Sequence, residues 1–183
     1  MEEIADWTVV TIVKDASLET IRTRMTAALP RLRRFAMSLT GNLADADDLV
    51  QDTVERALRN LHQWQPDTKL ESWMFRITQN LWIDAVRARK VRAQVAADPL
   101  DDDDVSVDGA RAMEAKLTFA DTARALQELP EEQRVVVSLV LIEGVAYREA
   151  AEILNVPIGT VTSRLARARE ALALRVFGKE STS

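Results

Sequence analysis

Apolar residues recur every three or four positions along most of this chain, the period of helices that bury one face. Ser17 is placed to cap a helix beginning LETIRTRM. Pro30 interrupts the pattern, so LPRLRRFAMSLT reads as a new helix or a kinked continuation that ends at Gly41. Asn42, with Asp45 three residues on, is a variant capping box for ADADDLVQDTVERALRNL. There Leu49, Thr53, Arg56 and Asn60 follow one row, and Val50, Val54, Ala57, Leu58 and Leu61 form an apolar face. Asp45, Asp48, Asp52 and Glu55 fall largely off that face. Thr68 and Glu71 complete a full capping box that opens LESWMFRITQNLWIDAVRARKVR. Trp73, Ile77 and Leu81 share a core-facing stripe in this helix, with Met74 and Phe75 beside them.

The second half is also helical. LTFADTARALQEL precedes Pro130, and EEQRVVVSLVLIEG is a buried helix that stops at Gly144. AYREAAEIL and a further helix from about Pro157 follow, joined by a short turn. Between the halves, DPLDDDDVSVD is poor in apolar residues and repels itself, so residues 96–117 read as an extended, solvated linker. Masking of a basic surface by this acidic run is the alternative reading. Residues 1–17 read as a short flexible extension, with a strand or a partner-binding arm as alternatives, and residues 179–183 as a tail. The expectation is an all-α protein with two small helical domains, 18–95 and 118–178, joined by an acidic flexible linker.

Composition narrows the chemistry. The 183 residues include one His and no Cys, which excludes disulfides, thiolate catalysis and Cys-ligated zinc. No apolar run approaches the roughly 20 residues of a membrane helix, and the acidic start is unlike a signal peptide. A cytoplasmic protein without membrane insertion is therefore expected. Net charge is −5, but the deficit is local. Residues 98–108 hold 6 Asp and no base, whereas residues 1–97 carry 14 basic and 13 acidic side chains and residues 109–183 carry 10 of each. Nucleic-acid binding responds to local charge, so a basic face elsewhere stays open as a DNA site.

Such a face stands in NVPIGTVTSRLARARE. Two short helices joined by a few residues make a helix-turn-helix. Asn155 tolerates the left-handed conformation of such a turn, Pro157 suits a helix start, and Gly159 permits close backbone approach. Val161, Leu165, Ala168 and Leu172 recur at helical spacing toward the core, while Thr162, Ser163, Ala166 and Arg167 point elsewhere. With Arg164, Arg169 and Arg175 adding charge, the layout suits a recognition helix in a major groove. A plain helical hairpin with a solvated polar face is the competing reading.

YREAAEILNVPIGTVTSRLARAREAL, extended backward through LPEEQRVVVSLVLIEGVA, resembles the promoter-recognition helix-turn-helix (region 4) of bacterial RNA polymerase sigma factors of the extracytoplasmic-function (ECF) group. ADADDLVQDTVERAL is similar to that group's polymerase-clamp helix, and SWMFRITQNLWIDAVRARKVR to its promoter-melting segment, both in region 2. LPRLRRFAMSLTG further resembles the alphaproteobacterial general-stress type. The family often has Gly in place of Asn155 and an aromatic in place of Val54. The resemblance implies a non-catalytic protein without metal or cofactor, monomeric when free, whose partners are core RNA polymerase, promoter DNA and an anti-sigma factor. It implies −35 contacts from Thr160, Thr162, Ser163, Arg164 and Arg167, with Arg164 alternatively buttressing the turn. It implies −10 contacts from Gln65, Asp67, Thr68, Lys69, Asn80, Asp84 and Arg87, and polymerase binding by Asp48, Gln51, Asp52 and Glu55. Arg89, Lys90 and Arg92 extend the positive strand groove, and Trp73 and Trp82 are candidates for base stacking as well as for the core. Two rival functions remain: a helix-turn-helix regulator that acts without polymerase, and a sigma-like mimic that sequesters an anti-sigma factor.

Overall fold

The computed structural model describes residues 4–95 and 122–177, and these residues are helical with short connections. The expected linker 96–117 and tail 179–183 lie outside the described residues. Helix α1 (Ile4–Thr40) starts ahead of Ser17 and runs through Pro30, where the sequence pattern places a start and a break. Pro30 removes one amide donor, but Ala28 and Leu32 on either side are buried and Leu29 packs against the same core, so tertiary contacts hold the helix together. Gly41, at φ +71°, turns the chain into α2 (Leu43–Arg59), and the Asn42 side chain accepts from the amides of Ala44 and Asp45 at 2.8 and 3.2 Å. A 3₁₀ turn (Leu61–Gln63) and a loop lead to α3 (Leu70–Val95).

The core of this first bundle differs in detail from the sequence expectation. On α2 the buried row is Ala46, Leu49, Thr53 and Ala57, while Leu58 is exposed. On α3 the buried stripe is Met74, Phe75, Thr78 and Trp82, which places Trp82 in the core. Trp73, Ile77 and Leu81 are only half-buried. Phe35 of α1 meets Phe75 edge to face at 5.1 Å between ring centres. The buried Thr53 and Thr78 hydroxyls lie 3.1 Å apart, each within hydrogen-bond distance of a carbonyl one turn back, so neither is stranded.

The second bundle holds a helix described over residues 122–127 (α4), α5 (Glu131–Val137), α6 (Tyr147–Leu154) and α7 (Ile158–Phe177). Helix α5 widens into a π-helical segment, Ser138–Ile142, before Gly144 ends it at φ +67°. Val135, Val136, Leu139, Ile153, Val161 and Leu165 fill its interior.

The two bundles are packed against each other. Glu143, at the end of the π segment, is buried and accepts from Arg31 at 3.1 Å and from Arg34 at 3.2 Å, both on α1. Arg31 also donates to the Glu143 carbonyl at 2.8 Å and pairs with Glu71 of α3. Arg134 of α5 donates to the Leu39 carbonyl at 2.9 Å and lies 5.5 Å from the centre of the Trp82 ring. Gln127 donates to the Ser38 carbonyl at 3.0 Å, in the space a side chain at Gly41 would fill. A buried carboxylate held by two guanidiniums is stable only while both remain in place, which makes this a specific contact between the bundles.

Candidate nucleic-acid interface

Three surfaces carry the residues singled out by the sequence. The first is the outer face of α2, where Asp48, Gln51, Asp52 and Glu55 are all exposed along one side. Glu55 pairs with Arg59 one turn on, and the neighbouring Asp47 is clamped by Arg33 at 2.7 and 2.8 Å. Asp48 and Asp52, one turn apart, thus project an acidic edge beside that pair.

The second surface is a cleft of about 980 Å³ between the loop before α3, α3 itself and α6. Trp64 anchors the start of the loop: its ring is buried beneath the Arg24 guanidinium, 5.1 Å from the ring centre. The Thr68 hydroxyl donates to the Gln65 carbonyl at 2.7 Å and closes a tight turn. The expected capping box therefore does not form, because Thr68 serves this turn and Glu71 is drawn to Arg31. The turn sets Gln65, Asp67, Thr68 and Lys69 at the cleft edge, with Asn80 two to three turns along α3. Asp84 and Arg87 lie farther along α3, outside the cleft lining, 4.0 Å from each other.

Sequence reasoning missed four contributors to this cleft. Arg56 and Arg76 bring cations to its walls, and Ile77 and Leu81 join Trp73, the stacking candidate, in an apolar floor. A half-buried stripe at helical spacing looks like core in a sequence, because the period is the same whether the facing surface is a helix or an opening.

The third surface is the helix-turn-helix of α6 and α7. Asn155 sits at φ 52° and ψ 49°, the left-handed conformation expected of it, and ends α6 with its amide on the Glu152 carbonyl at 3.3 Å. Pro157 stands just before α7, and its carbonyl accepts the Thr160 amide at 2.8 Å. Val161, Leu165 and Ala168 are buried, with Leu172 half-buried, so Thr162, Ser163 and Arg167 face solvent together. Nothing lies within 4 Å of where a Gly159 side chain would be, which leaves the backbone approachable at the start of α7. Thr160 is half-buried. Arg164 pairs with Glu132 of α5 at 2.5 Å.

On α6, facing the second surface, Glu149 accepts from Lys69 at 2.7 Å and from Ser72. Burial pushes the Glu149 carboxyl up, but the hydrogen bonds from Lys69 and Ser72 and the charges of Lys69 and Arg31 outweigh it, so its pKa is lowered. Glu131 is lowered too, first by its hydrogen bond from Lys90 at 2.7 Å. Both carboxylates are thus held ionised by lysines of the other bundle.

Two helical bundles in this order, the second with a helix-turn-helix, match known families. Residues 25–92 match Sigma-70 region 2, and residues 120–172 match Sigma-70, region 4. The ECF RNA polymerase sigma factor EcfG of Rhodopseudomonas palustris is 38% identical over 159 residues, covering 87% of this chain and 86% of that one. The chain belongs to the ECF family of RNA polymerase sigma factors. This sigma factor shares its fold with RpoE from Bartonella quintana, solved in complex with the anti-sigma factor NepR, at a TM-score of 0.75 and 30% identity. That match covers 86% of this chain and 96% of that one. CnrH, solved with the cytosolic domain of CnrY, matches at a TM-score of 0.62 and 27% identity over 92% and 91% of the two chains. Sigma factors are transcription initiation factors without enzymatic activity. Among the described residues of this sigma factor no helix is long and apolar enough to cross a membrane.

Proposed function

We propose that each surface of this sigma factor has its own partner. The α2 face, through Asp48, Gln51, Asp52 and Glu55, docks on core RNA polymerase. The cleft receives the unpaired strand of the −10 element, with Gln65, Asp67, Thr68, Lys69 and Asn80 presenting polar groups to extruded bases and Trp73 available for stacking. Asp84 and Arg87 extend that track along α3. The α7 face reads the −35 element through Thr160, Thr162, Ser163 and Arg167, with Arg164 held on Glu132 as support. The observation that carries this reading is the gathering of separated sequence positions into one cleft, distinct from both the acidic α2 edge and the recognition helix.

Control by an anti-sigma factor is supported by the two solved relatives, RpoE in complex with the anti-sigma factor NepR and CnrH in complex with the cytosolic domain of CnrY. A role in stress-response transcription rests on the likeness to EcfG and on the LPRLRRFAMSLTG stretch. The protein acts in the cytoplasm and is monomeric when free. The domain limits are taken as 18–95 and 118–178, separated by the acidic linker.

Arg167→Ala tests the −35 assignment. In holoenzyme it is expected to cost about 1–3 kcal/mol at a cognate promoter and to relax the preference at one base pair. Promoter affinity over a panel of single-base variants reads this. Uniform weakening at every site makes Arg167 a phosphate contact, and unchanged affinity removes α7 from the interface.

A further inference from the structure

We propose that α7 selects A·T pairs in the −35 element by their thymine methyl groups, through an apolar row of Ile158, Thr162 and Ala166. This rests on the reading of the α7 face as the −35 interface. The three positions stand four apart and all are exposed. Each step of four turns the row by only about 40° around the helix axis, so the side chains lie along one flank. Ile158 is 52% exposed in the first turn of α7. The Thr162 hydroxyl donates to the Ile158 carbonyl at 3.0 Å, which spends its one proton inside the helix. What Thr162 offers a base is therefore its methyl group and the hydroxyl lone pairs. Ser163 beside it donates to the Thr160 carbonyl at 3.1 Å, so its proton is spent in the same way. Arg167, a strong side-chain donor, lies about 140° around the axis from Thr162, on the opposite flank.

The two flanks suit different bases. In the major groove only thymine carries an apolar group, the C5-methyl, while guanine, cytosine and adenine present donors and acceptors. An apolar row laid against a G·C pair strips water from those polar edges without replacing the hydrogen bonds, which is unfavourable. Laid against an A·T pair it covers the methyl, and the Thr162 lone pairs remain to accept from the adenine N6 amino group. Gly159 stands between the flanks, with nothing within 4 Å of where its side chain would be. The first turn can therefore approach closely enough for Ile158 and Thr162 to meet methyl groups in van der Waals contact. Arg167 then reads a separate base pair by hydrogen bonding, so one helix combines a polar reader with an apolar one.

The test uses holoenzyme made from core RNA polymerase and the full chain, on duplex DNA carrying a promoter that it transcribes. Each thymine of the −35 element, on either strand, is replaced singly by deoxyuridine, which lacks only the C5-methyl. Loss of one well-packed methyl contact is expected to weaken promoter binding by about fourfold at one or two positions. Thr162→Ser, which removes the protein methyl and keeps the hydroxyl, should bind the parent promoter about fourfold more weakly and no longer tell thymine from uracil at one of them. Thr162→Val, which keeps a methyl and removes the hydroxyl, should retain that discrimination. Ile158→Ala should abolish it at a neighbouring position. All three substitutions fall at exposed sites, and thermal unfolding checks that each variant is folded. Parent holoenzyme that is indifferent to every uracil, or a −35 element without an A·T pair, overturns the methyl reading. Discrimination that survives Thr162→Ser, or is lost in Thr162→Val, overturns the role of the Thr162 methyl. Arg167→Ala in the same assay separates the two levels. If it weakens binding while uracil has no effect, the methyl reading alone fails. If neither it nor any base change in the −35 element alters binding, the assignment of α7 to that element fails with it.

Discussion

Asp48→Arg with Asp52→Arg is expected to lower affinity for core polymerase by about 100-fold or more. Reversing two charges inside a complementary interface puts like charges together, at a cost of several kcal/mol, and each 1.4 kcal/mol is about a factor of ten. The two side chains lie one turn apart on the exposed face of α2, away from its buried row of Ala46, Leu49, Thr53 and Ala57. The variant should therefore keep its helicity and thermal stability. Neighbouring Asp47 is already committed to Arg33, so Asp47→Asn serves as a control that changes the local charge without touching the proposed contact. Native gel analysis of holoenzyme assembly reads the effect. A folded double variant that binds core polymerase as the parent does would remove α2 from the polymerase interface.

The second large effect concerns stability. Phe35 is fully buried, meets Phe75 edge to face, and lies on the same stretch of α1 as Arg31 and Arg34, which hold region 4. Phe35→Ala removes most of an aromatic side chain from the place where α1 and α3 meet, and is expected to cost about 3–5 kcal/mol. For a protein of this size that corresponds to a fall of roughly 10 °C in melting temperature. Calorimetry of the parent and the variant measures it. A change of only a degree or two would mean that the α1–α3 core is not organised around this ring pair.

How much of this was legible in the sequence depends on the range of the interaction. Local rules served where the partner is a few residues away. Asn155 in the left-handed conformation, Asn42 as a cap, and the buried row Val161, Leu165 and Ala168 all follow from turn chemistry and period. The exposure of Thr162, Ser163 and Arg167 follows from the same row. The local rules failed where a distant partner competed. Thr68 and Glu71 have capping-box spacing, but a turn claims the first and Arg31, 40 residues away, claims the second. Pro30 signals a break, yet burial of Ala28 and Leu32 carries α1 through it. Trp73 and Trp82 both fit an apolar face, and only the placement of α6 and α5 decides that one lines a cleft while the other is core. Glu143 is the extreme case. Its partners lie more than 100 residues earlier, and no pattern in VLIEGVA marks it as a buried ion-pair centre.

This sigma factor is expected to confer promoter choice on a polymerase that lacks it. The most direct measurement is transcription in vitro by purified core RNA polymerase on a genomic fragment library, with and without the chain, followed by mapping of the transcript starts. The expected result is a small set of starts that appear only when the chain is added, share two upstream sequence elements, and disappear with the Asp48→Arg, Asp52→Arg variant. Starts that are the same with core polymerase alone would contradict it.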